Sequence, residues 1–160
     1  MLFRSIILAG GLGTRLRPYT IVLPKPLMPI GEFPILEVII RQLVSHDFIH
    51  ITLAVNHQAQ IIKAFFQDGS KWGIKIDYSY EEKALGTMGP LKLINDLPEN
   101  FLVMNGDVLT DLNFTDFYNY HLNKKSNFTI SSKIRKSKID YGVLETSSQN
   151  LLTGFNEKPL

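Results

Sequence analysis

The run Leu8-Ala9-Gly10-Gly11-Leu12-Gly13-Thr14-Arg15-Leu16-Arg17-Pro18, followed by Pro24-Lys25-Pro26-Leu27, puts a glycine turn and several cations directly behind the apolar residues Ile6-Ile7-Leu8. The apolar run reads as a short buried strand, and a turn at its carboxyl end lies where ligands of open parallel sheets bind. Gly10, Gly11 and Gly13 lack side chains, so the backbone can reach positive φ and offer successive N–H groups to anionic oxygens. Arg15 adds a planar fork of donors and Lys25 a compact point charge. Together they have the chemistry of a triphosphate site. Two better-known phosphate loops do not fit: no Gly-Lys-Ser/Thr follows the second glycine, and Leu16 stands where the dinucleotide fingerprint needs its third glycine.

Outward from this run, strand and helix periods alternate. Leu36, Ile39, Ile40, Leu43 and Val44 recur at helical spacing, which predicts an amphipathic helix over Ile35 to Ser45. Ile49 to Val55 reads as a second strand. Ile61, Ile62, Phe65 and Phe66 mark a helix that ends near Asp68-Gly69, and Ile74 to Tyr78 forms a third strand. Gly89-Pro90 opens a helix through about Ile94, and Phe101 to Met104 is a buried strand ending at Asn105-Gly106-Asp107. Phe114, Phe117, Tyr118 and His121 share a helical face. Phe128 to Ile134 and Val143 to Glu145 are expected to be strands of a more mixed region. The alternation predicts an α/β fold: a Rossmann-like three-layer α/β/α sandwich with a mostly parallel mixed sheet.

The 160 residues, 44% of them hydrophobic, suffice for one core and one domain over residues 1–160. The formal charge of +2 and the lack of a long Lys/Arg run argue against a nucleic-acid partner, and Lys124-Lys125 and the stretch from Lys133 to Lys138 read as solvated faces. Cysteine is absent, which excludes disulfides, thiolate metal sites and cysteine nucleophiles. No apolar run approaches the roughly 20 residues of a membrane span, and Met1 to Ala9 shows no signal peptide, so no membrane partner and a cytoplasmic location are expected. His46, His50, His57 and His121 show no ligand spacing and are assigned to surface or helix-face roles.

Three further constellations carry chemistry. Asp107 follows a buried strand, where a carboxylate can hold Mg²⁺ over phosphates, although the same residue suits an Asx turn. Asp111 is the next metal candidate and also reads as a helix N-cap. Tyr80-Glu81-Glu82-Lys83-Ala84-Leu85-Gly86-Thr87-Met88-Gly89-Pro90-Leu91 lies between a strand and a helix. The ionised Glu81 carboxylate only accepts hydrogen bonds, which matches the adjacent N1–H and N2–H₂ donors of guanine, although Glu81 and Glu82 can equally be surface charges beside a loop. Tyr141-Gly142-Val143 and Glu157-Lys158-Pro159 complete the series.

In this order and spacing the motifs resemble the signature of the sugar-1-phosphate nucleotidyltransferases, also called sugar-nucleotide pyrophosphorylases, from about Phe3 to Leu160. The Glu81 segment resembles the pattern of the mannose-1-phosphate guanylyltransferase-like branch. The resemblance implies the nucleotide-diphospho-sugar transferase type of fold and a reaction of an NTP, GTP favoured, with a sugar 1-phosphate to give an NDP-sugar and pyrophosphate. It further implies nucleotide binding by Leu8, Ala9, Gly10, Gly11, Gly13, Thr14, Glu81, Gly86 and Thr87, with Arg15 and Lys25 catalytic. Asn105, Gly142, Glu157 and Lys158 are implied to hold the sugar phosphate, and Asp107 the Mg²⁺. Members of the family continue well past the Glu-Lys-Pro motif with a second metal-binding aspartate, so a catalytic domain truncated at its carboxyl end is expected. A non-catalytic nucleotide-sugar-binding regulatory subunit and a cytidylyl- or thymidylyltransferase of the same fold stay open as alternatives, as does self-association into a homo-oligomer.

Overall fold

The computed structural model describes residues 3–11, 13–56, 58–83, 85–135 and 140–158. Leu12, His57, Ala84, Pro159 and Lys136 to Lys138, which figure in the sequence reading, lie outside these residues. The chain divides into two compact units, Met1–Ser126 and Asn127–Leu160. In chain order the first unit holds β1 (Phe3–Leu8), α1 (Tyr19–Val22), β2 (Pro29–Ile30), β3 (Phe33–Pro34), α2 (Ile35–Ser45), β4 (Phe48–Val55), α3 (Ala59–Phe66), β5 (Lys75–Tyr80), β6 (Leu102–Asn105) and α4 (Phe114–Lys124). The second holds β7 (Val143–Thr146) and β8 (Leu152–Asn156).

β1, β4, β5 and β6 form one sheet in the order β5-β4-β1-β6, and every pair in it is parallel. Antiparallel pairing is confined to the short ladders β2–β3 and β7–β8. Strands alternate their side chains between the two faces, and here the faces differ in kind. Phe3 and Ile7 of β1 join Ile51, Leu53 and Val55 of β4 in an apolar cluster completed by Leu36, Ile39, Ile40 and Leu43 of α2, Ile62 and Phe66 of α3, and Phe114 of α4. These helices therefore form as amphipathic elements whose apolar stripes have one sheet face to cover. Asn113 caps α4 by accepting a hydrogen bond from the Asp116 N–H at 3.0 Å, so the cap expected of Asp111 belongs to Asn113.

The alternate residues Arg4, His50 and Thr52 project from the other face, where polar pairing stands beside the fully buried Ile6. Arg4, only 8% exposed, donates Nη1 to Asp96 Oδ2 at 2.9 Å and Nη2 to Asp96 Oδ1 and Thr52 Oγ1, each at 3.1 Å. The hydrogen bond from Arg4 holds the Asp96 carboxyl below its usual range. Beside it, partial burial pushes the Asp77 carboxyl up, but hydrogen bonds from Lys75 at 2.8 Å and His50 at 2.6 Å outweigh that and leave it lowered. His50 thus works within the sheet as a partner of a carboxylate, a role different from the surface or helix-face one expected of it.

Two further expectations change. Gly89–Leu93 is a 3₁₀ turn and not a longer helix. Phe128 to Ile134 forms no strand among the described residues. Phe128, Ile130 and Ile134 are well exposed, and an alternating run becomes a strand only where a neighbour accepts its ladder. No helix of the described residues is long and apolar enough to cross a membrane.

The Arg4–Asp96 contact has a testable pH signature. A carboxyl whose folded-state pKa is depressed stabilises the fold above its ordinary value of 3.8, and that stability is lost as the pH falls through the lower folded value. Asp96→Asn should therefore lower the thermal midpoint at pH 7, because the buried Arg4 guanidinium loses its carboxylate. It should also flatten the acid limb of the stability profile relative to the parent. Thermal denaturation from pH 7 down to about pH 3 reads both effects, the window following from the ordinary carboxylate pKa.

Candidate nucleotide-binding site

Because the four strands of the first sheet are parallel, β1, β4, β5 and β6 all end at the same edge, β1 in the glycine turn and the others beside polar side chains. β1 runs into Ala9 and Gly10, β4 into Asn56, β5 into Glu81, and β6 into Gly106 and Asp107. Backbone bonds continue the sheet just past these ends: Ala9 N–H to Ala54 O at 2.8 Å, Gly106 N–H to Leu8 O and Glu81 N–H to Val55 O, each at 2.9 Å. A cavity of about 930 Å³ opens on this edge. Its wall contains Leu8, Ala9, Gly10, Gly11, Gly13, Thr14, Arg15, Lys25, Glu81, Gly86, Thr87, Asn105 and Asp107, so the structure brings these first-unit candidates together, while Asp111, the second metal candidate, is not on the wall. Gly142, Glu157 and Lys158 lie in the second unit. There Lys158 Nζ pairs with Asp140 Oδ1 at 3.2 Å, and a Cβ on Gly142 would come within 2.4 Å of the Phe155 ring.

The glycines of the turn differ in what they do for the fold. Gly13 has φ +60°, and a Cβ there would stand 2.7 Å from Thr20 Cγ2. Thr20 Oγ1 donates to Gly13 O at 2.8 Å, so this buried threonine clamps the turn. A Cβ on Gly11 would meet nothing within 4 Å. Nothing among the described residues requires glycine at position 11.

Charge in the cavity is arranged in two ways. Lys25 sits in a 3₁₀ turn, Lys25–Leu27, between Pro24 and Pro26, and its Nζ pairs with Asp107 Oδ2. Both side chains remain about one-third exposed, at 32% and 29%, so each can also reach a ligand. Arg15 lies in the 3₁₀ turn Thr14–Leu16 and makes no hydrogen bond or ion pair among the described residues, which leaves its fork open to the cavity. Glu81 Oε1 accepts the Leu85 N–H and ties back the loop that carries Gly86 and Thr87. Asn56, absent from the sequence-based set, donates Nδ2 to Gly10 O.

Residues 4–160 match the family described as Nucleotidyl transferase. A UTP–glucose-1-phosphate uridylyltransferase of Synechocystis sp. is 36% identical over 171 residues, covering 98% of this chain and 44% of that protein. A mannose-1-phosphate guanyltransferase of Candida albicans is 35% identical over 164 residues, covering 98% of this chain and 45% of the relative. Among solved structures, HddC from Yersinia pseudotuberculosis complexed with GMP-PN superposes with a TM-score of 0.65 at 25% identity, covering 98% of this chain and 70% of the other. The chain spans less than half the length of the curated relatives it matches.

The contrast between two glycines can be measured directly. Gly13→Ala should destabilise the protein by about 1–2 kcal/mol from the left-handed backbone alone, with the Thr20 contact adding to it. Gly11→Ala should stay within about 0.5 kcal/mol of the parent, as an unconstrained surface change does. Chemical denaturation followed by the fluorescence of Trp72, the only tryptophan, checks both.

Proposed function

Because the chain belongs to the nucleotidyl transferase family, we propose that it takes part in joining an NTP to a sugar 1-phosphate. The observation that carries this reading is the meeting of the glycine turn, the Lys25–Asp107 pair, Arg15 and the Glu81 loop on one cavity at the carboxyl edge of the sheet. A phosphate oxygen of the sugar 1-phosphate attacks the α-phosphorus in line, and the bond from that phosphorus to the oxygen bridging to the β-phosphorus breaks. The products are NDP-sugar and pyrophosphate. A sugar phosphate is already ionised near neutral pH, so no general base is required. Catalysis rests on position and charge neutralisation.

In this reading Leu8, Ala9, Gly10, Gly11, Gly13 and Thr14 line the nucleotide and its phosphates, and Arg15 holds the triphosphate and the departing pyrophosphate. Lys25 bridges phosphates near the reacting centre. Asn105, Gly142, Glu157 and Lys158 are assigned to the sugar phosphate. Mg²⁺ suits this donor set: Asp107 supplies a hard carboxylate on the cavity wall, and that ion takes one or two carboxylates with phosphate oxygens. Among the described residues no cluster of three His, Cys, Asp or Glu side chains could cage an ion, which accords with a metal that arrives with its phosphates. When bound, the ion would neutralise charge on those phosphates.

Glu81, Gly86 and Thr87 are assigned to the base, and GTP is the preferred nucleotide. Glu81 supports this through its acceptor-only carboxylate in the cavity. The guanyltransferase relative supports it too. The sugar is mannose or a related hexose or heptose.

The decisive experiment is pyrophosphate release from each common NTP with a panel of sugar 1-phosphates, run on this chain and on any longer form. No release from any pair, in either form, would overturn the reading. Lys25→Ala should lower turnover by about 10²–10³ through loss of one preorganised charge, with the thermal midpoint little changed. Glu81→Gln keeps an acceptor for the Leu85 N–H but turns a donor toward guanine. It should weaken GTP binding by about 1–3 kcal/mol while sparing UTP, as a site does when a buried polar group loses its partner. Calorimetry with both nucleotides separates this from a general loss of loop order.

A further inference from the structure

We propose that Asn56 is a positioning residue for the nucleotide phosphates, holding the Gly10–Gly11 peptide in the orientation that presents the Gly11 N–H to an anion. This rests on the cavity being an NTP site and names how that site is kept ready. The Asn56 amide donates Nδ2 to Gly10 O. The Gly10–Gly11 bond is trans, and in a planar trans peptide the C=O and N–H point in opposite directions. Fixing the Gly10 carbonyl on Asn56 therefore aims the Gly11 N–H away from Asn56. That N–H makes no hydrogen bond among the described residues, Gly11 is exposed on the cavity wall, and a Cβ on it would meet empty space. Among the described residues it is a donor without a partner.

The clasp is needed because the peptide is flanked by glycine on both sides. Glycine populates regions of φ and ψ closed to other residues, so a Gly-Gly peptide can rotate as a plate with little steric resistance. Rotated by half a turn, it would present a carbonyl oxygen to the phosphates in place of an N–H. Asn56 comes from a neighbouring strand end and is independent of the turn, so it can hold one orientation against the other. A Cβ on Gly10 would lie 3.5 Å from Asn56 Nδ2 and 3.4 Å from Glu81 Oε2, so the two side chains bracket this residue.

The test is titration calorimetry of GTP, GMP and guanosine, with Mg²⁺ present, against the parent and Asn56→Leu, which keeps the side-chain shape without a donor or a charge. A positioning role predicts a loss that depends on phosphates: GTP affinity falls by about tenfold or more, the equivalent of one lost hydrogen bond to a charged group, while guanosine binds as before. Equal loss for GTP and guanosine would make Asn56 a contact of the base and overturn the proposal. Parent-like GTP affinity would overturn it as well, while leaving the nucleotide site intact. A parent that binds no NTP would overturn both the proposal and the function on which it rests. Should Asn56→Leu lower the thermal midpoint, Asn56→Ala supplies the same comparison with no side chain to accommodate.

Discussion

The reversal of strand order at β1 is the constraint on which the site depends. From β1 the chain crosses through α2 to β4 and then through α3 to β5, moving outward on one side, and later returns to lay β6 on the other side of β1. Because β6 lies beside β1, the loops that leave both strands meet the cavity at the carboxyl edge. The register fixes what faces what: Ser5 pairs with Leu102 and Leu8 with Asn105, so the glycine turn and Asp107 leave the sheet side by side. A slip of one residue in β6 would move Asp107 along the edge and exchange its apolar residues between faces. The apolar cluster that holds the register is thus also what sets the spacing of the charged groups.

Within that cavity, charge is balanced before any ligand arrives. Lys25 and Asp107 neutralise each other while about one-third open to water, a geometry in which neither incurs the full cost of a buried ion. Arg15 stands outside the pair and has no ion-pair partner among the described residues. In the proposed reading, a triphosphate gains Arg15 at once and can compete for Lys25. Asp107 is then left to a cation, which suits an anion that arrives with its metal. The prolines on both sides of Lys25 restrict its backbone, so the ammonium is placed by the chain more than by the ion pair.

Much of this was legible from residues alone, for reasons that differ by element. The helix over Ile35–Ser45 matched its apolar period because a single face covers the sheet, and the ends of β1 and β4 matched because turn chemistry follows those apolar runs directly, whereas β5 and β6 run on into Tyr80 and Asn105. Phe128 to Ile134 failed because alternation is a local property and strand pairing is not. The 3₁₀ turn at Gly89–Leu93 failed because a proline start is compatible with either helix type and the run is short. Asn56 could have been found by the logic that found Asp107, since it too is a polar residue immediately after a central apolar strand. Thr20 could not, because its importance is the 2.7 Å approach to a missing Cβ, a fact of three-dimensional closure. The same holds for the bond from the Leu85 N–H to Glu81.

That last bond bears on how base choice can evolve on this scaffold. A carboxylate that both closes its own loop and faces the cavity serves two functions with different tolerances. Loop closure needs only an acceptor, which glutamine also supplies, whereas recognition of two adjacent donors needs acceptors on both oxygens. Exchange of acid for amide at position 81 therefore leaves the loop an acceptor while it alters the hydrogen-bonding face, so on the proposed reading the base preference can change without rebuilding the cavity. Relatives of similar identity that are named for different nucleotides, uridylyl in one case and guanyl in another, are what such a separable arrangement would produce. The phosphate half of the site has no such freedom. Gly13 is locked by backbone and by Thr20, Gly10 is bracketed by Asn56 and Glu81, and the cations are set by the turns that carry them. In the proposed reading, the turn that carries Gly13 is the fixed part of the site, and the choice of base falls to a single side chain and its loop.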